Sequence, residues 1–162
     1  MLDEQIELNG KRVIVVEDDY LLASDLCSDF RALGATVLGP APTPFYALQL
    51  IGNKERRRLD GAVLDVSLHG TSVFDVADLL SRRGIPFVFA TAMEKTAIPQ
   101  RFEGAPVLTK PYERSEVVQA VVQSMHRPPP RPERLPMPPF DLAGEPPAVH
   151  FARALGRCLA RA

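Results

Sequence analysis

Four short apolar runs in this chain each end on a polar side chain, and that pattern restricts the fold more than any other feature of the sequence. Val13-Ile14-Val15-Val16 runs into Glu17-Asp18-Asp19, Ala62-Val63-Leu64 into Asp65, Phe87-Val88-Phe89-Ala90 into Thr91, and Val107-Leu108 into Thr109-Lys110-Pro111. Apolar runs this short, separated by segments of helical periodicity, read as buried strands of a parallel sheet. In an open parallel sheet, functional groups collect beyond the carboxyl ends of the strands. The pattern therefore predicts acids, a hydroxyl and an amine facing one pocket.

The segments between these runs complete the architecture. After a first strand over about 12–17, Asp19 can cap a helix that carries Leu21, Leu22, Leu26, Phe30 and Leu33 at helical spacing, with Gly34 placed to stop it. A short second strand is expected over 35–38, followed by a loop at Gly39-Pro40-Ala41-Pro42. Thr43 can cap a helix that begins at Pro44 and ends near Lys54. A third strand over 61–65, a loop over 66–70 and a helix over 72–83 precede the fourth strand at 87–91. Pro99 and Gly104 interrupt the stretch 92–106, so any helix there should be short. A fifth strand over 107–109 and a last helix over 113–126 follow. Val117, Val118, Val121 and Val122 of that helix are more apolar residues than one face toward a sheet requires, so part of the helix is expected to meet a partner or the chain's own tail. Five strands alternating with helices predict an α/β fold, a doubly wound five-stranded parallel sheet sandwiched by helices, with the fourth helix short or irregular.

The strand-end residues permit a specific chemistry. A carboxylate such as Asp65 can attack phosphorus and hold a phosphoryl group as an acyl phosphate. That transfer needs positioning and neutralisation of the phosphoryl oxygens more than covalent help. Glu17 and Asp18 can hold a Mg²⁺ ion together with Asp65 and a backbone carbonyl just beyond it, that of Ser67. Lys110 supplies a mobile positive charge, and Thr91 a hydroxyl that can bond a phosphate oxygen. Each motif alone has an ordinary explanation, a capping acid or a turn residue; all four in order at strand ends make a coincidence improbable. His69 reads as a loop histidine.

Val13 to Asp19, Leu64-Asp65, Ala90-Thr91-Ala92 and Thr109-Lys110-Pro111 together resemble the receiver domain of two-component response regulators, over about 11–126. The resemblance implies a flavodoxin-like receiver fold and magnesium-dependent phosphorylation of Asp65 by a histidine kinase. It also implies a switch through Thr91 and Lys110, and a cis peptide before Pro111. Pro86-Phe87-Val88-Phe89-Ala90-Thr91 is further similar to stand-alone receivers with a Phe-Ala-Thr motif, although Ala92, Met93 and Glu94 follow where that subgroup continues with glycine and an aromatic. Receivers typically carry an aromatic residue three positions before the lysine. Here that residue is Val107, so coupling through a rotating ring is not available.

Composition bounds the rest. The 162 residues suit one domain with an appendage, and 46% hydrophobic residues suffice for a core. Residues 1–126 carry 13 Lys and Arg against 17 Asp and Glu, an acidic body that argues against nucleic acid as a partner. No apolar stretch is long enough for a membrane span, and the acidic start has no signal-peptide order, so a cytoplasmic protein is expected. Cys27 and Cys158 show no metal-ligand spacing, and no disulfide is expected between them. The division is a leader at 1–10, a receiver at 11–126, a proline-rich linker at 127–149 and a short C-terminal helix at 150–162. Nine of the sixteen prolines fall in the linker, which predicts an extended segment. The terminal helix has an apolar face from Phe151 to Leu159, which is expected to dock on the last receiver helix or on another subunit.

The function expected is a single-domain response regulator, not an enzyme, that signals by protein–protein interaction or phosphorelay. Its partners would be a sensor histidine kinase and a phosphotransfer protein or downstream regulator, with no membrane contact; self-association could use the last receiver helix or the tail. One alternative is an aspartate-nucleophile phosphatase of the haloacid dehalogenase type, disfavoured because Ser67 stands where that class needs a second acid. The other is a degenerate receiver acting as an interaction module independent of phosphorylation.

Overall fold

The computed structural model describes residues 6–53 and 58–127. Apart from Arg127, the expected linker and terminal helix lie outside the described residues, and so does the docking expected of them. Five parallel strands form one sheet: β1 (Arg12–Val16), β2 (Thr36–Ala41), β3 (Gly61–Leu64), β4 (Phe87–Thr91) and β5 (Val107–Thr109), in the order β2-β1-β3-β4-β5. Among the described residues, four helices connect or follow them: α1 (Tyr20–Ala32), α2 (Pro44–Gly52), α3 (Phe74–Arg82) and α4 (Arg114–Met125).

The two-residue side-chain period of a strand divides the core between the faces of the sheet. Val13 and Val15 of β1, Val63 of β3, and Val88 and Ala90 of β4 pack with α1 and α4. Ile14 and Val16, Ala62 and Leu64, and Phe87 and Phe89 pack with α2 and α3 on the other face. Both faces are covered, which is why the central positions of these strands are all apolar. Leu8 is also buried in the first cluster and its amide donates to the Leu33 carbonyl at 2.7 Å, so the packed domain begins before residue 11.

Three details depart from the sequence expectation. β2 does not stop at Leu38 but continues through Gly39 and Pro40 to Ala41. Gly39 has φ +96°, and a Cβ there would sit 2.9 Å from the Val15 carbonyl oxygen, so only glycine lets the two backbones approach. The register between β1 and β2 shifts at this place, between Ile14 and Val16, and β2 is an edge strand, where a proline without an N–H is tolerated. The stretch after β3 is a small hairpin, Ser67–Leu68 on Thr71–Ser72, rather than a loop, and it delays α3 to Phe74. Its two connecting residues, His69 and Gly70, have φ +48° and +81°, the sign that tight hairpin turns require. The valines of α4 are all used inward. Val117, Val118 and Val121 are buried and Val122 is half-buried against the same cluster, so the surplus apolar face expected on this helix does not exist.

The segment between β4 and β5 agrees with the expectation. Between β4 and β5 there is no α-helix, only two 3₁₀ turns at Lys95–Ala97 and Gln100–Phe102. An aromatic cluster holds this segment: the Phe102 ring lies 5.8 Å from Phe74, 6.0 Å from Phe87 and 5.8 Å from Phe89, centroid to centroid. Beside it, the Arg101 guanidinium makes a bidentate pair with Asp78 of α3, at 3.0 and 3.1 Å, and lies over the Phe102 ring.

The segment 92–106 therefore depends on one fully buried ring. Phe102→Ala should lower unfolding stability by about 3–5 kcal/mol, whereas Arg101→Ala, which removes a half-exposed ion pair, should cost about 1 kcal/mol or less. Urea denaturation of both variants checks this; equal losses would contradict it.

Candidate functional site

The parallel register brings the strand ends to one level. Val16 pairs with Leu64, Leu64 with Phe89, and Thr91 with Thr109. The next residues after β1 and β3 are Glu17 and Asp65, and their backbones extend the ladder. The Glu17 amide donates to the Ala41 carbonyl at 3.1 Å and the Asp65 amide to the Val16 carbonyl at 2.9 Å. Two carboxylates are thus anchored by main-chain bonds in positions where water barely reaches them, with exposures of 3% and 6%.

Lys110 joins them. Its Nζ donates to Asp65 Oδ2 at 2.8 Å and to Glu17 Oε2 at 3.0 Å. Its own amide donates to the Thr91 carbonyl at 2.8 Å, and the Lys110–Pro111 peptide is cis. Burial, the largest single influence, pushes the Lys110 ammonium down, but hydrogen bonds and charge from Asp65 and Glu17 outweigh it and hold the lysine above its ordinary range. Burial raises the Glu17 carboxyl above its ordinary value, only partly offset by the bond from Lys110.

The remaining predicted residues converge on this pair. Asp18, half-buried, offers an oxygen to the same space: one ligand atom each from Glu17, Asp18 and Asp65 lie within 4.8 Å of one another. Asp19 turns away and caps α1 by accepting from the Leu22 amide at 3.0 Å, while its own amide donates to Glu17 Oε1 at 3.1 Å. Ser67, exposed, reaches the cluster through its amide, which donates to Asp65 Oδ1 at 3.3 Å. Thr91 is fully buried, and its Oγ1 accepts from the Met93 amide at 3.2 Å.

Three carboxylates facing one ammonium leave a local excess of negative charge. At 4.8 Å, two such charges repel by about 3 kcal/mol at an effective dielectric near 20. A hard divalent cation relieves that repulsion, and an all-oxygen donor set of carboxylates suits Mg²⁺ rather than a soft metal. The residues present therefore fit the ion that their sequence pattern implied.

Two residues that the sequence reading undervalued or passed over stand close by. His69, reached by the hairpin after β3, donates its amide to Asp18 Oδ2 at 2.8 Å, and its Nδ1 lies 3.4 Å from the same oxygen. The signal for it was the His69-Gly70 pair between short extended residues, a two-residue turn pattern. Tyr112, two positions after Lys110, buries its hydroxyl without a hydrogen-bond partner among the described residues. Burial above all pushes that phenol up to about 12, with the Glu17, Asp65 and Asp19 carboxylates adding and Lys110 opposing. Val107 is half-buried against the cluster that holds Phe102 and takes no part in the acidic site.

No family model matches the chain. It is 28% identical over 114 residues to the phyllosphere-induced regulator PhyR of Methylorubrum extorquens, a match covering 70% of this chain and 43% of that protein. It resembles the solution structure of SdrG from Sphingomonas melonis with a TM-score of 0.61 and 32% identity, over 72% of this chain and 97% of SdrG. It also resembles the non-phosphorylated HemR receiver domain from Leptospira biflexa, with a TM-score of 0.60 and 25% identity, over 75% of this chain and 98% of that domain. The chain spans about half the length of the curated relatives it matches. Among the described residues, no helix is long and apolar enough to cross a membrane.

The bridge made by Lys110 sets a pH dependence. Its raised pKa gives stabilisation that is complete below the ordinary lysine range and lost only as pH climbs through and above it, so it acts in full at neutral pH. Glu17 also has a raised pKa, so its contribution is complete below its ordinary value of 4.5 and lost as pH rises through the raised one. Lys110→Met, in EDTA, should therefore be destabilised by roughly 3–5 kcal/mol at pH 8, with the deficit smaller at pH 5, because a carboxyl raised above its ordinary value is more protonated there. Urea unfolding at both pH values checks it; an equal deficit at the two would contradict the coupling.

Proposed function

Since the chain belongs to the receiver-domain family of two-component response regulators, we propose that it accepts a phosphoryl group on Asp65 from a sensor histidine kinase and passes the signal on by protein contact or phosphorelay. The observation that carries this reading is the bridging of Asp65 and Glu17 by Lys110 beside Asp18. A carboxylate oxygen of Asp65 attacks phosphorus, the bond between phosphorus and the donor imidazole nitrogen breaks, and the imidazole leaves with the electron pair. Glu17, Asp18, Asp65 and the Ser67 carbonyl would hold Mg²⁺, which supplies positive charge to the phosphoryl oxygens.

The chain's own residues do the remainder. Lys110, mobile on its stem, gives up its bond to Asp65 Oδ2 for one to a phosphoryl oxygen. The Thr91 hydroxyl, whose oxygen accepts from Met93, keeps its proton to donate to a second oxygen. That movement loads the Met93 amide, and with it the start of the segment 92–106. Output is accordingly assigned to this segment instead of a ring at position 107. The similarity to stand-alone receivers with a Phe-Ala-Thr motif belongs to the same proposal, as do a phosphotransfer protein or downstream regulator as partner, non-enzymatic signalling and a cytoplasmic setting.

The phosphatase alternative is weaker, because Ser67 carries no acid at the position where a leaving group would be protonated. The degenerate-receiver alternative draws on Val107, and the same experiments separate it. Incubation with acetyl phosphate and Mg²⁺ should add one phosphoryl group by intact mass. Asp65→Asn should abolish the addition, and Asp18→Asn should weaken its metal dependence. Labelling that persists in Asp65→Asn at another residue would overturn the assignment.

A second expected outcome concerns the switch. On addition of beryllofluoride, amide resonances of residues 92–102 should shift more than those of α2. Unshifted signals there, with distant helices responding, would contradict output through this segment.

A further inference from the structure

Asp18 differs from the other two acids of the site. Glu17 and Asp65 are nearly inaccessible and held by Lys110, whereas the Asp18 side chain is 22% exposed and has no bond to that lysine. A carboxylate at the lip of a crevice rotates toward water unless something holds it. The hold comes from 51 residues away: the His69 amide donates to Asp18 Oδ2 at 2.8 Å. A charge-assisted N–H···O bond of this length is among the stronger orienting contacts available to a carboxylate.

The amide that reaches Asp18 opens a tight turn whose backbone is unusual. Among the described residues, His69 is the non-glycine with positive φ, at +48°, and Gly70 follows at +81°. The pairing of Ser67 with Ser72 and of Leu68 with Thr71 closes the hairpin and fixes the turn between them. Left-handed backbone disfavours branched side chains strongly and excludes proline, but suits glycine or asparagine. The imidazole lies near the same oxygen at 3.4 Å, but its side chain is 66% exposed, so the contact is shared with water.

We propose that His69 is a positioning residue: its left-handed main chain, not its imidazole, clamps Asp18 in place for a divalent cation. This rests on the reading of Glu17, Asp18 and Asp65 as a cation site. The hairpin that follows the acceptor strand thus has a task in the chemistry, and its turn sequence is tied to the acidic residues after β1.

The test uses the full chain and Mg²⁺ alone, with affinity read by calorimetry and folding by thermal unfolding. His69→Gly and His69→Asn keep the backbone and should bind Mg²⁺ within about twofold of the natural protein. His69→Val and His69→Pro should bind about tenfold more weakly, the loss typical for removal of a group that orients a metal ligand. In an Asp18→Ala background, His69→Val should cause no further loss, because its effect passes through Asp18. Should the valine and proline variants not fold, the amide proton shift of His69 decides: Asp18→Ala in the otherwise natural chain should move it upfield, and no movement overturns the proposal. Equal affinity of folded His69→Val and the natural protein overturns it, as does a loss in His69→Gly as large as in His69→Val. A natural protein that neither binds Mg²⁺ nor is labelled by acetyl phosphate overturns the reading of the site itself, and the inference with it. Labelling with weakened metal binding confined to the valine and proline variants supports both.

Discussion

Two carboxylates with exposures of 3% and 6% cannot both keep their charge at the rim of an apolar sheet without a cation between them. Lys110 is that cation, and much of the structure serves to put it there. The register of β4 and β5 sets Thr109 beside Thr91, the Lys110 amide is tied to the Thr91 carbonyl, and the side chain then spans to two strands on the other side of β4. The arrangement is stable but not final. The ammonium can exchange a carboxylate for another anion while its main chain stays in the ladder. A group held by its backbone and released at its tip is suited to respond to a new charge.

The strand ends were legible because their chemistry is local. A strand buried on both faces is apolar along its length, so the first polar side chain after Val16, Leu64, Ala90 or Leu108 marks where the apolar core ends and the crevice starts. No tertiary information was needed to place Glu17, Asp65, Thr91 and Lys110 at one level. The same argument put an irregular segment between β4 and β5, since Pro99 and Gly104 break helical hydrogen bonding whatever surrounds them.

What escaped the sequence depends on neighbours distant in the chain. Gly39-Pro40 reads as a loop, and becomes strand only because Val15 approaches the glycine and the edge position leaves the proline without a donor to satisfy. The valines of α4 read as an excess because a helix facing a sheet alone covers only a narrow arc. In the fold, α4 packs on β3, β4 and α1 together, so a wider arc is covered. His69 reads only as a loop histidine because nothing in its own neighbourhood shows that Asp18 lies opposite. Tyr112 carries no pattern at all that would mark its hydroxyl as buried.

The two outer strands have a consequence for how this protein behaves at high concentration. An open sheet presents unpaired main-chain groups along both margins, and such margins recruit other chains into extended stacks. Here one margin is β2, where Pro40 removes a donor and Gly39 throws the ladder out of step. The other is β5, only three residues long. Neither offers a run of donors and acceptors long enough to template a foreign strand, so the irregularity that hid β2 in the sequence also guards the sheet against growing by addition at its sides.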